Sequence, residues 1–203
     1  MRGGREVKSV AGTVVGQPSG FIETSAGHLA PVALGPSYTQ RVGRRIRVRN
    51  VRVAGSVAWL ANASQTTVPI VPYVHVGVLL DRQTKQGAPP AYNQIWIVNG
   101  GSAGEPSQPN PLYDPRFFVL AKRKVSPPAT ALHQNANGYY EFTGPVVPFE
   151  FDLPMDLSIQ WSGSTADITD VLDNSLHFFA MQSTASGCQV SITYTYRTDY
   201  FDE

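Results

Sequence analysis

Turn-forming residues never leave this chain alone for long, and that constrains its fold more than anything else. Eighteen Gly and sixteen Pro are spread along the 203 residues, and between them lie short runs of β-branched and aromatic residues. Proline removes a backbone donor and clashes inside a helix, and glycine weakens one. No window carries a 3.6-residue apolar stripe over three turns; ITDVLD, residues 168–173, offers at most one short turn. The chain reads as all-β.

Residues 9–15 and 28–33 read as short extended pieces ahead of the main body. Eight main strands follow, at 45–61, 72–81, 94–98, 115–125, 146–153, 157–161, 175–182 and 188–198. Stretches such as NGGSAGEPSQPNP and SPPATALHQNANG supply the loops between them. Eight strands with one apolar face each are satisfied by two stacked four-stranded sheets, or by a barrel. The last strand alternates most cleanly, with Val190, Ile192, Tyr194 and Tyr196 on one face and Ser191, Thr193, Thr195 and Arg197 on the other.

Within QRVGRRIRVRNVRVAGSVAWL, residues 40–60, the alternation changes phase. Ile46 and Val48 share one face, whereas Val51, Val53 and Val57 have the opposite parity. A β-bulge near Arg49 or Asn50 reconciles the two halves. The same stretch holds six arginines within twelve positions, in a chain of net charge +1. Arginines sharing a strand face repel unless an anion or carboxylates sit between them.

Residues 1–55 carry nine Lys/Arg against two carboxylates, a net +7, and the remainder carries seven against thirteen, a net −6. Such a split points to nucleic-acid contact, or to self-association of a basic region with an acidic one. Charged residues make up only 15% of the chain, below the roughly 25% usual for soluble proteins, so copies of the chain are expected to cover part of the surface. One cysteine, Cys188, excludes an intrachain disulfide framework. MRGGREVKSV lacks an apolar leader core, and nowhere do about 18 apolar residues run together, so neither secretion by a leader nor a membrane span is expected.

Catalytic signals are weak. GGSAG, residues 100–104, matches a nucleophile elbow in letters, but the following EPSQPNP cannot form the helix that strains and exposes such a serine. His28, His75, His133 and His177 form no metal-ligand pair. Asp167, Asp170 and Asp173 suit turns and caps better than a calcium loop, and Asn62-Ala63-Ser64 is a glycosylation sequon without a secretory context. No enzyme activity, metal or cofactor is assigned.

Five phrases in fixed order carry a family resemblance: SYTQRVGRRIRVRNVRVAGSV, VGVLLDRQTKQGAPPA, YDPRFFVLAKRKV, PFEFDLPMDLSIQWSGSTADITDVLDNSLHFFAMQST and VSITYTYRTDYFD. With them the chain resembles the single jelly-roll capsid proteins of small circular single-stranded DNA viruses, the circovirus-like group. The resemblance implies an eight-stranded jelly roll of two four-stranded sheets over residues 37–203, preceded by an extended, inward-facing segment 1–36. It implies self-assembly into a small icosahedral shell, T=1, around a single-stranded genome, hence a virion protein that passes through the host nucleus and meets a host receptor. Residues expected at the genome or at inner subunit contacts are Arg2, Arg5, Lys8, Arg41, Arg44, Arg45, Arg47, Arg49 and Arg52. Family members carry a long basic arm, whereas here only Arg2, Arg5 and Lys8 precede residue 9. The cluster at 41–52 is then the main positive charge offered to a genome. Coat proteins of small RNA or satellite viruses, and a lectin-like jelly roll, are the alternatives. A lectin needs aromatics gathered at one site, and Trp59, Trp96 and Trp161 are scattered along the chain.

Overall fold

Alternating β-branched runs become long antiparallel strands in a computed structural model, which describes residues 6–21, 27–61, 66–69, 71–84, 92–96, 110–113, 115–127, 133–141, 146–183 and 188–203. Among these residues the strands are β1 (Lys8–Gly16), β2 (Ser19–Phe21), β3 (Arg45–Ala61), β4 (Val74–Asp81), β5 (Phe117–Val125), β6 (His133–Gln134), β7 (Tyr140–Glu141), β8 (Val147–Trp161), β9 (Val171–Asp173), β10 (Ser175–Gln182) and β11 (Cys188–Asp202). One α-helical turn, α1 (Tyr92–Ile95), and two 3-10 turns, Pro111–Tyr113 and Ile168–Asp170, interrupt them. The first sheet has the order β1-β11-β3-β8-β9 and the second β2-β10-β4-β5; β6 and β7 form a separate hairpin.

The main core lies where the two sheets face each other. Val51, Val53, Val57 and Trp59 of β3 and Val190, Ile192 and Tyr194 of β11 meet Val74, Val76 and Val78 of β4 and Leu176, Phe178 and Ala180 of β10. Phe178 bridges the layers, 5.6 Å from the Phe149 ring in a stacked arrangement and 4.2 Å from the Tyr194 ring. Gly55 makes this possible, because a Cβ there would come within 2.7 Å of the Phe149 ring. One end of the core is closed by the segment after residue 27. Leu29 donates its N–H to Leu176 O (2.7 Å) and accepts from Thr198 Oγ1 (2.6 Å), so one residue ties β10 to β11.

β10 is buried along nearly its whole length, on both faces. Its outward Phe179 joins Leu79, Ile95 and Trp96 in a second, smaller cluster. Here the described part of the expected strand at 94–98 is corrected: Tyr92–Ile95 is a helical turn, and residues 97 and 98 lie outside the described residues. Adjacent Ile95 and Trp96 are both buried, which a helical turn permits and strict strand alternation does not. Three further corrections concern number and extent. Segments expected as two strands, 146–153 and 157–161, form one continuous β8. Residues 28–33 are irregular, whereas 9–15 lies in β1, paired with β11 over nine positions. The sheets hold five and four strands rather than four and four, because β9 adds a short strand at the margin of β8.

The phase change in β3 is a bulge at Arg49. Val48 pairs with Tyr200 and Asn50 with Asp199, so Arg49 has no counterpart on β11. Ile46 and Val48 are buried before it, and Val51 and Val53 after it. Under strict alternation, with the residue kept but no bulge, Arg52 would share the inward parity of Ile46 and Val48. With the bulge, Arg45, Arg47, Arg49 and Arg52 all face outward.

Candidate nucleic-acid interface

Arginines on β3 stand beside the strands that carry the chain's carboxylates. β3 lies between β11 and β8, and register places Arg52 opposite both Asp152 and Arg197. Arg52 Nε lies 3.3 Å from Asp152 Oδ1, which also accepts from Asn50 Nδ2 at 2.7 Å. Arg47 makes a two-pronged contact with Asp156 and lies 3.8 Å from Glu203. Arg197 Nε donates to Asp199 at 2.8 Å, and Lys8 Nζ lies 2.6 Å from Asp202. Hydrogen bonding from Asn50 and Arg52 holds the Asp152 carboxyl below the usual carboxylate range, and hydrogen bonding from Arg47 does the same for Asp156. The +7 and −6 portions of the sequence are thus interleaved on one sheet. Carboxylates between same-face arginines resolve the repulsion without an external anion.

The predicted contact residues therefore fall into different environments. Arg41 is corrected: it is fully buried, not at a surface. Its guanidinium donates to Val32 O (2.9 Å), Gly43 O (2.7 Å) and Gly163 O (2.7 Å), and lies 4.8 Å from the Trp161 ring. Burial lowers its pKa from the usual arginine value, and its carbonyl partners make it a structural clamp between the 32–43 turn and the 163–165 turn. Lys8, Arg47 and Arg52 are paired as above. Arg45 donates to Gln160 Oε1 at 3.0 Å, and Arg49 lies 5.7 Å from the Phe201 ring. Arg44 is exposed. Arg2 and Arg5 lie outside the described residues, as do GGSAG and Asn62-Ala63-Ser64.

The other candidate sites are structural. His28 is fully buried; its Nε2 lies 2.8 Å from Ala166 O and its Nδ1 accepts from Ala30 N at 3.3 Å. That pair of contacts requires a neutral ring, with Nε2 protonated, and burial lowers its pKa to about 4. Asp170 accepts from both the N–H (2.9 Å) and the hydroxyl (2.6 Å) of Thr165, a turn role. Ser175 Oγ lies 2.6 Å from His177 Nε2, but both residues are fully buried, out of reach of a substrate.

No protein-family model matches the chain, and no curated protein matches it. Among solved structures it is similar to a chain described as a 60-mer BFDV capsid protein, at 8% identity and a TM-score of 0.33, with 98% of this chain and 95% of that one covered. A viral particle of IBDV aligns at 10% identity and a TM-score of 0.17, over 96% of this chain and 35% of that one. Both scores are low.

A second concentration of positive charge lies on β5, the edge strand of the other sheet. Lys122, Arg123 and Lys124 are exposed there, and Arg82, past the end of β4, is exposed at the other end of β5, where its N–H donates to Arg116 O. Lys124 Nζ lies 3.6 Å from the Tyr73 ring centroid, Lys122 Nζ 5.0 Å from that of Trp96, and the Arg82 guanidinium 5.1 Å from that of Phe118. His75 pairs with Lys124 in register. Its pKa is lowered to about 4 by burial and then by Lys122 and Lys124, and its Nδ1 is buried without a hydrogen-bond partner. In the sequence the signal is AKRKV, residues 121–125. It is hidden by the negative balance of the segment that contains it.

Proposed function

We propose that this chain is a viral coat protein whose copies pack into a small icosahedral shell, T=1, around a single-stranded genome of circular DNA. The observation that carries this reading is the strand order. With the marginal β9 set aside, β1-β11-β3-β8 faces β2-β10-β4-β5. Sequential strands alternate between the layers except for β4 and β5, which are neighbours in the second sheet, and the first strand pairs with the last; this order supports an eight-stranded jelly roll. The sequence motifs that resemble circovirus-like capsid proteins run through the same strands.

Surface chemistry supports the same reading. Val15, Val42 and Val146 are 67%, 70% and 61% exposed, and Phe118, Val119 and Leu120 form an exposed apolar run. Large apolar side chains on a surface this poor in charge favour burial against other copies. Contacts of the standard size, about 1,600 Å², suffice for specific association. Size-exclusion chromatography followed by negative-stain microscopy tests the proposal. Uniform spherical particles are expected; a monomer or dimer at every salt and protein concentration would overturn it.

A further inference from the structure

We infer that the genome-contacting surface is the β5 edge, where Arg82, Lys122, Arg123 and Lys124 form a phosphate-binding stripe for single-stranded nucleic acid, and not the arginine-rich β3. The inference rests on the proposed coat-protein role only for the identity of the polyanion. On the first sheet, Lys8, Arg47, Arg52 and Arg197 each hold a carboxylate of the same chain. A phosphate arriving there must displace a tethered competitor. Among the described residues, Arg82, Arg123 and Lys124 have no carboxylate partner: Arg82 and Lys124 rest on Phe118 and Tyr73, and Arg123 projects from the strand.

An aromatic ring beneath a cation fixes its position without neutralising it. Arg116 repeats the pattern over Phe117, 4.7 Å from the ring, while also pairing with Asp81 at 2.7 Å. The geometry thus places cations at the two ends of one strand of nine residues, about 30 Å at roughly 3.4 Å per residue. Cations interleaved with aromatics along an open groove or edge are the chemistry that tracks a flexible phosphodiester backbone without reading its sequence. Exposed Phe118, Val119 and Leu120 are the part of this edge that another copy of the chain would compete for.

Two triple variants that change the formal charge equally separate the surfaces. They are Arg82→Gln/Arg123→Gln/Lys124→Gln on the β5 edge and Arg45→Gln/Arg47→Gln/Arg52→Gln on β3. Binding of a labelled oligothymidylate of about 20 nucleotides is followed by fluorescence anisotropy across salt concentrations. Each lost phosphate contact removes about 0.7 from the log–log salt slope, so the β5 variant is expected to lose about 2 units of slope and at least about tenfold in low-salt affinity. The β3 variant is expected to change by less than about threefold. Equal losses, a larger loss in the β3 variant, or no binding by the wild-type chain would overturn the inference. Lys124→Gln alone, reading a slope change of about 0.7, keeps it testable if the triple variant does not fold. Particle formation, scored separately by microscopy, reports on the coat-protein role. A β5 variant that binds oligonucleotide normally but forms no particles assigns the edge to subunit contact, and the inference fails.

Discussion

The arginine face of β3 and the lysine-bearing edge of β5 differ in what their neighbours supply. β3 has more positive charge but lies between β8 and β11, whose Asp152, Asp156, Asp199 and Asp202 reach its cations or those beside it. β5 has fewer cations, and among the described residues its ladder neighbour is β4, whose Asp81 is already held by Arg116. Charge counted along a chain and charge presented in space are different quantities, and strand order converts one into the other.

The largest effect expected comes from the one arginine of the cluster that belongs to neither surface. Arg41→Ala leaves the carbonyls of Val32, Gly43 and Gly163 without their donor. It is expected to lower unfolding stability by about 3–5 kcal/mol. Arg49→Ala, at an exposed bulge, is expected to stay within about 0.5 kcal/mol. Urea midpoints for the two variants check this; equal midpoints would show that Arg41 is a surface residue like the others.

Acid should weaken the interior before it disturbs the arginine face. His28 titrates near 4 in the fold against 6.5 when unfolded. The unfolded chain therefore takes up the proton first, and stability falls as pH drops from about 6.5 to about 4, by at most about 3.4 kcal/mol. Asp152 and Asp156, with carboxyls held low, retain their pairs through most of that window and lose them only below it. Urea midpoints measured across this range should slope for the wild type and slope less steeply for His28→Asn, where His75, also lowered to about 4, still titrates.

Removing the competing carboxylates probes the contrast directly. Asp152→Asn with Asp156→Asn frees Arg52 and leaves Arg47 only the longer contact to Glu203, and is expected to raise low-salt oligonucleotide affinity about tenfold. No gain would mean that β3 is silent for a reason other than ion pairing. The smallest effect concerns His75, which lies beside Lys122, Lys124 and Tyr73. A bound phosphate favours its protonated form, so affinity should rise about threefold between pH 6.5 and 5. His75→Gln should abolish that rise.

Much of the fold was legible because one face of most strands is buried. The bounds of β3 and β10 coincide with the expected strands, and the parity switch at Arg49 was visible as a change of apolar phase. Tertiary packing overrode local pattern elsewhere. Ile95 and Trp96 read as strand residues, yet they cap Phe179 from outside the sheet. β2 and β9, three residues each, are too short for any periodicity to announce them. The site was less legible than the fold. Arg41 has the same sequence surroundings as its neighbours, and only the turn at 163–165 reveals what its guanidinium holds. Arg197, directly opposite Arg52, was invisible until β11 took its place beside β3.

The bulge at Arg49 acts as a parity bit for this chain. Flattening the bulge with every residue kept and 50–61 in register would turn Ile46 and Val48 to solvent and aim Arg45 and Arg47 into the sandwich. The letters that make the strand basic would be unchanged, yet their meaning would invert. In-frame deletions are usually judged by what they remove; deleting Arg49 would restore strict alternation and keep Ile46, Val48, Val51 and Val53 on one face.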